Sequence, residues 1–388
     1  MLLIKNAKLI TMESLDFENG FMLIDGSKIV KIGDMTDCTK DSGCEVLDLE
    51  GKTVVPGFID SHCHVGMWEE GLGFEGDDGN EDSDPITPQL RAIDAINPFD
   101  EAFLNAKRAG VTCVVTGPGS ANVLGGQFAA VKTDGILVDK MAIDKYIAQK
   151  AALGENPKSV YAQKKQAPIT RMATAALLRE TLALAKEYSE KWDNYNADSE
   201  KNDKPELDFK LESLIPVIKK EIPLKVHAHR ADDILTAIRI AEEFDISITL
   251  DHCTEGYLIA DILKEKDYPI ILGPTLGNKS KPELRNLSFD IYPEMSKNGI
   301  KYSICTDHPE IPIEQLPLCA ILAVKSGISK KEALSAITIN AAKNVGISDR
   351  VGSLAIGKDA DFVIFDGEPL TIDAKPFAVY INGKSIAL

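Results

Sequence analysis

The residues in this chain best suited to chemistry are its six histidines, at positions 62, 64, 227, 229, 252 and 308. His62 and His64 end a run, 53–64, that reads as a buried strand. Positions two apart on a strand share a face, so these imidazoles point the same way and Cys63 points oppositely. Two neutral imidazoles converging from a rigid strand end suit a divalent metal of the zinc class. A lone pair of this kind is also what ordinary hydrogen-bonded histidines at a strand end look like. The other four decide between these readings, because all six lie at the C-terminal ends of strand-like runs, a placement that chance scatter over 388 positions would not give. Asp307 ends the last of those runs. A carboxylate there can bind metal and exchange a proton with a metal-held water, which zinc makes acidic enough to ionise near pH ~7.

The elements that must position these residues follow from periodicity. Segments 2–10 and 21–33 alternate apolar and polar residues between glycines, and the C-terminal stretch from about 350 has the same character. Asp25-Gly26, Asp366-Gly367 and Asn382-Gly383 supply hairpin turn chemistry. The two ends are therefore expected to build one small β-sandwich domain, residues 1–56 with 350–388, flanking a central domain of residues 57–349. The centre alternates strand-like and helix-like runs, which predicts parallel βα units. Strands are expected at 53–64, 111–119, 128–133, 148–154, 224–229, 246–252, 268–274 and 301–308, with helices near 99–109, 170–190 and 210–220. Segment 193–206 is polar and reads as a surface connection. Eight strands over ~290 residues predict an α/β fold, a (β/α)8 TIM barrel with its active site at the C-terminal strand ends. No GxGxxG follows the first strand, which disfavours an open dinucleotide-binding sheet.

Composition narrows the class of protein. With 44% hydrophobic residues the chain can bury a large core. A formal charge of −17 without a basic stripe argues against a surface for nucleic acid or anionic membrane. The partner is instead expected to be a small-molecule substrate, with homo-oligomerisation left open. Seven scattered cysteines without a CxxC pair argue against a disulfide framework and for a reducing, cytoplasmic compartment. Lys5 and Lys8 interrupt the N-terminal apolar run, and no apolar stretch reaches the ~18 residues of a membrane span. The acidic loop 69–85 reads as a solvated loop or subunit contact, or else as a lid. The glycine-rich 117–127 lacks a P-loop ending and reads as a backbone-lined pocket wall. Cys253 and Cys305 have no activating partner at a telling spacing and read as buried apolar residues.

Pro56-Gly57-Phe58-Ile59-Asp60-Ser61-His62-Cys63-His64, His227-Ala228-His229, Asp251-His252 and Thr306-Asp307-His308-Pro309, in this order, together resemble the amidohydrolase superfamily. Segment 338–367 resembles the stretch where those enzymes leave the barrel for their β-sandwich. The likeness is greatest to the imidazolonepropionase-related and prolidase-like hydrolases. It implies one or two divalent ions, of zinc type, with His62, His64, His227, His252 and Asp307 as ligands and Asp307 also as base. It also implies a carboxylated lysine bridging two metals. Lys150 is the expected bridge and Lys132 its rival. Imidazolonepropionase-like relatives carry an acidic residue where this chain has His229, so His229 reads either as a catalytic, substrate-binding residue or as a hydrogen-bonding support. His308 would face away from Asp307, in a structural or a substrate role. The activity expected is metal-dependent hydrolysis of an amide-type C–N bond in a dipeptide, N-acyl amino acid or cyclic amide. Deamination of an aminated heterocycle and a catalytically silent structural homologue are the alternatives.

Overall fold

The structure, a computed structural model, describes residues 1–38 and 43–387. Its strands are β1 (Leu2–Leu9), β2 (Phe17–Asp25), β3 (Lys28–Asp34), β4 (Glu45–Asp48), β5 (Thr53–Pro56), β6 (Phe58–Cys63), β7 (Val111–Thr116), β8 (Leu124–Lys132), β9 (Ala142–Ala152), β10 (Leu224–Ala228), β11 (Ile248–His252), β12 (Ile270–Leu272), β13 (Tyr302–Ile304), β14 (Phe362–Phe365), β15 (Pro376–Ile381) and β16 (Lys384–Ile386). Two sheets divide them. The first interleaves the two ends of the chain in the order β16-β15-β14-β5-β1-β2-β3, with β4 also on β1. Ile4, Met22, Ile24 and Val54 from the N-terminal strands share one apolar core with Phe362, Ile364 and Tyr380 from the C-terminal ones. The Asn382-Gly383 turn between β15 and β16 has positive φ at both residues, 51° and 73°, as the expected hairpin turn requires.

The second sheet runs β6 to β13 in sequence order and curls into a barrel. Backbone bonds from Asp307 N to His62 O (3.2 Å) and from His64 N to His308 O (2.9 Å) join its two edges at the mouth. Below them Ser61 Oγ meets Ser303 Oγ at 2.9 Å. This is a TIM-type barrel with a separate terminal sheet.

Three details depart from the sequence-based expectation. The run 53–64 is two strands, not one. β5 belongs to the terminal sheet and β6 to the barrel, and the chain crosses between them at Gly57, where a Cβ would stand 2.1 Å from Thr112 Oγ1. Second, β8 is antiparallel to both β7 and β9, so not every barrel strand is part of a parallel βα unit. Only residues 117–123 link β7 to β8, and 133–141 link β8 to β9. A parallel crossover needs about a dozen residues or more, so the chain can only reverse. Third, the helix Arg171–Ala197, capped by Thr170, runs into the segment expected to be a connection. The helix Phe209–Ile218 packs back on it.

Lys132, on β8, is buried between Asp359 Oδ2 (3.0 Å) and the Asp361 carboxylate. Asp359 also pairs with Lys28 (2.7 Å) and Arg350 (2.8 Å). This ionic cluster ties the barrel to the terminal sheet. It also accounts for Lys132, which therefore does not reach the mouth as a metal bridge.

Candidate active site at the barrel mouth

β6, β10 and β11 carry His62, His227 and His252 to the mouth, while His64, His229 and Asp307 lie just beyond strand ends. His252 and Asp307 leave their strands with left-handed backbone, φ 75° and 56°. Such conformations cost non-glycine residues on the order of 1–3 kcal/mol and collect at functional sites.

His62 Nε2 and His64 Nε2 stand 3.2 and 3.1 Å from the same atom, Asp307 Oδ1. The opposite nitrogens fix the tautomers. His64 Nδ1 lies 2.7 Å from Gly117 O, and His252 Nδ1 2.6 Å from Gly273 O. A carbonyl only accepts, so each Nδ1 carries the proton and each Nε2 presents a lone pair. His62 Nδ1 approaches Asp251 Oδ2 at 2.8 Å, though not in hydrogen-bonding alignment. A proton on that nitrogen suits the carboxylate beside it. Burial, with Lys150 nearby, holds His62 down at about 3, and burial also lowers His227, His229 and His252. These four rings therefore stay neutral at pH 7. Two lone pairs facing one carboxylate oxygen at about 3 Å repel each other unless a cation lies among them. Buried His252 Nε2 likewise has no hydrogen-bond partner. Ligand nitrogens free, with the second nitrogen tied to a carbonyl or carboxylate, is the usual arrangement around protein-bound metals. The residues present thus fit divalent ions.

Two groups of three emerge. His62, His64 and Asp307 form one, His227, His229 and His252 the other, the ligand atoms of each lying within 4.8 Å of one another. His229 thus stands with His227 and stacks on His252 (4.7 Å), its Nδ1 2.7 Å from Thr254 Oγ1. Lys150 is fully buried, with Nζ 3.5 Å from His62 Nε2. Burial lowers it to about 8, and the likewise buried ammonium of Lys225 takes Asp251 Oδ1 at 3.1 Å. His308 is buried and accepts from Ile313 N through Nδ1 (3.2 Å). It is not among the residues lining the cavity.

The cavity at the mouth, about 410 Å³, is lined by His64, His227, His229 and Asp307 at its base. Trp68, whose ring sits edge-on to His64 at 4.7 Å, and Gly119, Ser120 and Ala121 form a wall. The glycine-rich segment is thus backbone lining, as expected. Gly79 and Gly119 let two backbones close on Trp68, since a Cβ on either would fall 2.2 and 2.6 Å from its ring. Apart from Asn80, no residue of the loop 69–85 lines the cavity. Asp82 and Asp84 instead pair with Lys164 and Lys210 (both 2.7 Å). Burial pushes the Cys253 and Cys305 thiols up, so neither is a nucleophile. The sequence reading missed Trp68, Asn156, Lys281 and Glu283, which lie outside the strands that anchored it. It quoted Asp251 with His252 but gave it no role of its own.

Residues 211–386 match the amidohydrolase family. An amidohydrolase of known structure from Thermotoga maritima MSB8 is 40% identical, superposes with a TM-score of 0.95, and is covered along 100% of both chains. The chain belongs to the amidohydrolase superfamily. Two further relatives are less similar. Amidohydrolase tasK of Hapsidospora irregularis is 27% identical over 94% of this chain, which spans only 40% of that protein. The imidazolonepropionase of Fusobacterium nucleatum is 24% identical over 95% of this chain and 91% of its own length. Among the described residues, no helix is long and apolar enough to cross a membrane.

Proposed function

We propose that this amidohydrolase cleaves an amide-type C–N bond of a small molecule, such as a dipeptide, an N-acyl amino acid or a cyclic amide, with divalent metal at the barrel mouth. The observation that carries this reading is the meeting of two histidine Nε2 atoms on Asp307 Oδ1, 3.1 and 3.2 Å away. His62, His64 and Asp307 would hold one ion; His227 and His252, with His229 beside them, would hold another. An imidazole-rich set favours zinc. Bound there, such an ion supplies a Lewis acid and makes a water acidic enough to ionise near neutral pH.

The chain's own residues would do the rest. Asp307 takes a proton from the attacking water and passes it to the leaving nitrogen, so that the amine departs neutral. Lys150, its charge disfavoured by burial, could add its nitrogen to carbon dioxide and lose a proton, and the carbamate would present two further oxygens beside His62. Trp68 closes one wall and excludes water from the base of the cavity. The seven cysteines, all unpaired, support a cytoplasmic setting.

The test is a screen of dipeptides, N-acyl amino acids, cyclic amides and aminated heterocycles, run on protein stripped by a chelator and on the same protein after zinc is restored. A new carboxylate and amine, formed only with zinc, are expected. Ammonia without a new carboxylate would move the assignment to deamination, and turnover unaffected by chelation would end it.

A further inference from the structure

Charge is unevenly distributed around the cavity. Asp307 and Glu310 line it, and among the described residues Lys281 is the one lysine or arginine that does. Its Nζ lies 2.8 Å from Glu283 Oε1 and 2.8 Å from Asn156 Oδ1. Two acceptors engage two of an ammonium's three hydrogens, and the side chain keeps 29% of its surface exposed. Both partners lead to the histidines. Glu283 Oε1 is 3.4 Å from His227 Nε2, and Asn156 Nδ2 is 3.4 Å from the same atom. Glu283 is itself pinned, its Oε2 accepting from Glu155 N at 3.1 Å. The ammonium is therefore fixed one residue away from a candidate ligand nitrogen, and most of the entropy cost of ordering a long lysine around a ligand is already met in the fold.

A fixed cation at that spot has a use. With a formal charge of −17, the chain as a whole repels anions at long range, so an anionic substrate needs a local positive donor to hold it. We propose that Lys281 selects substrates bearing a carboxylate beside the scissile amide, donating its third hydrogen to that carboxylate. The proposal rests on the hydrolase reading above and narrows its substrate class to amides with an adjacent free acid. The carboxylate could sit on either side of the bond, on the amine, as in an N-acyl amino acid, or on the acyl group, as in an N-succinyl amine.

Calorimetric binding to the full-length, zinc-reconstituted protein tests this without requiring turnover. The probes are N-acetyl-L-amino acids against their C-terminal amides, and N-succinyl amines against the corresponding succinamides. In one of the two series the acid should bind roughly 10- to 100-fold more tightly than its amide, the range of one charge-assisted hydrogen bond. Lys281→Met should abolish that preference and Lys281→Arg should keep part of it, both with unchanged zinc content. Equal binding of acid and amide by the wild type, or a preference that survives in Lys281→Met, would overturn the proposal. So would loss of zinc from Lys281→Met, which would show that the lysine serves only to hold Glu283. Acid-selective binding lost in Lys281→Met, without cleavage of any probe, would instead sink the hydrolase reading and leave the role of Lys281 standing.

Discussion

Asp307 and Lys150 take opposite parts in the site, and each can be tested alone. Asp307→Asn preserves shape but removes the charge that balances a cation and the oxygen that moves a proton. Turnover should fall by at least roughly a hundredfold while the thermal midpoint stays near wild type. A folded Asp307→Asn protein with near wild-type turnover would remove Asp307 from the mechanism. Lys150→Ala leaves the histidines in place and deletes only the buried amine beside His62. Metal measured by mass spectrometry should drop from about two ions per chain toward one, and a short carboxylic acid that fills the gap should restore part of the activity. Unchanged metal content would assign Lys150 to packing alone.

At the scale of elements, Gly57 is where the chain passes from the terminal sheet to β6, and Thr112 fills the space a side chain would need. Gly57→Ala should cost about 1–3 kcal/mol by overpacking, read from urea unfolding, and Thr112→Ala in the same protein should recover part of it, since Thr112 Cβ would still stand 2.8 Å away. Additive losses in that double variant would show that the strain lies elsewhere. The strands bearing the histidines were legible in the sequence because buried parallel strands are continuous apolar runs and each of these runs ends in a histidine. The direction of β8 was not, because its composition resembles its neighbours' and only the short links at 117–123 and 133–141 force the reversal. Lys150 and Lys132 sit in similar apolar runs; what separates them is Asp359 and Asp361, more than 220 residues from Lys132 in sequence and unreachable by periodicity. Lys281 lies in a connection, Glu283 in the short 3-10 turn Pro282–Leu284 and Asn156 at the start of the helix Glu155–Gln163; none ends a strand, so only tertiary contacts show that they meet.

For the whole molecule, the Lys132, Asp359 and Asp361 cluster suggests that the barrel and the terminal sheet unfold as one unit. Lys132→Met would leave Asp361 buried with its main countercharge gone, at about 3–5 kcal/mol for a broken buried pair. Asp361→Asn added to it should recover part of that loss. Calorimetry should show one transition in the wild type and a lower one in Lys132→Met. A Lys132→Met protein as stable as wild type would make the cluster incidental to the joining of the two sheets.

The central claim is that the six converging side chains are cation sites. Anomalous diffraction at the zinc edge, from crystals of zinc-reconstituted protein, measures this directly. The account predicts one anomalous peak among His62, His64 and Asp307 and a second beside His227 and His252. A map with no peak at either group, from protein whose histidines are in the places described, would contradict it.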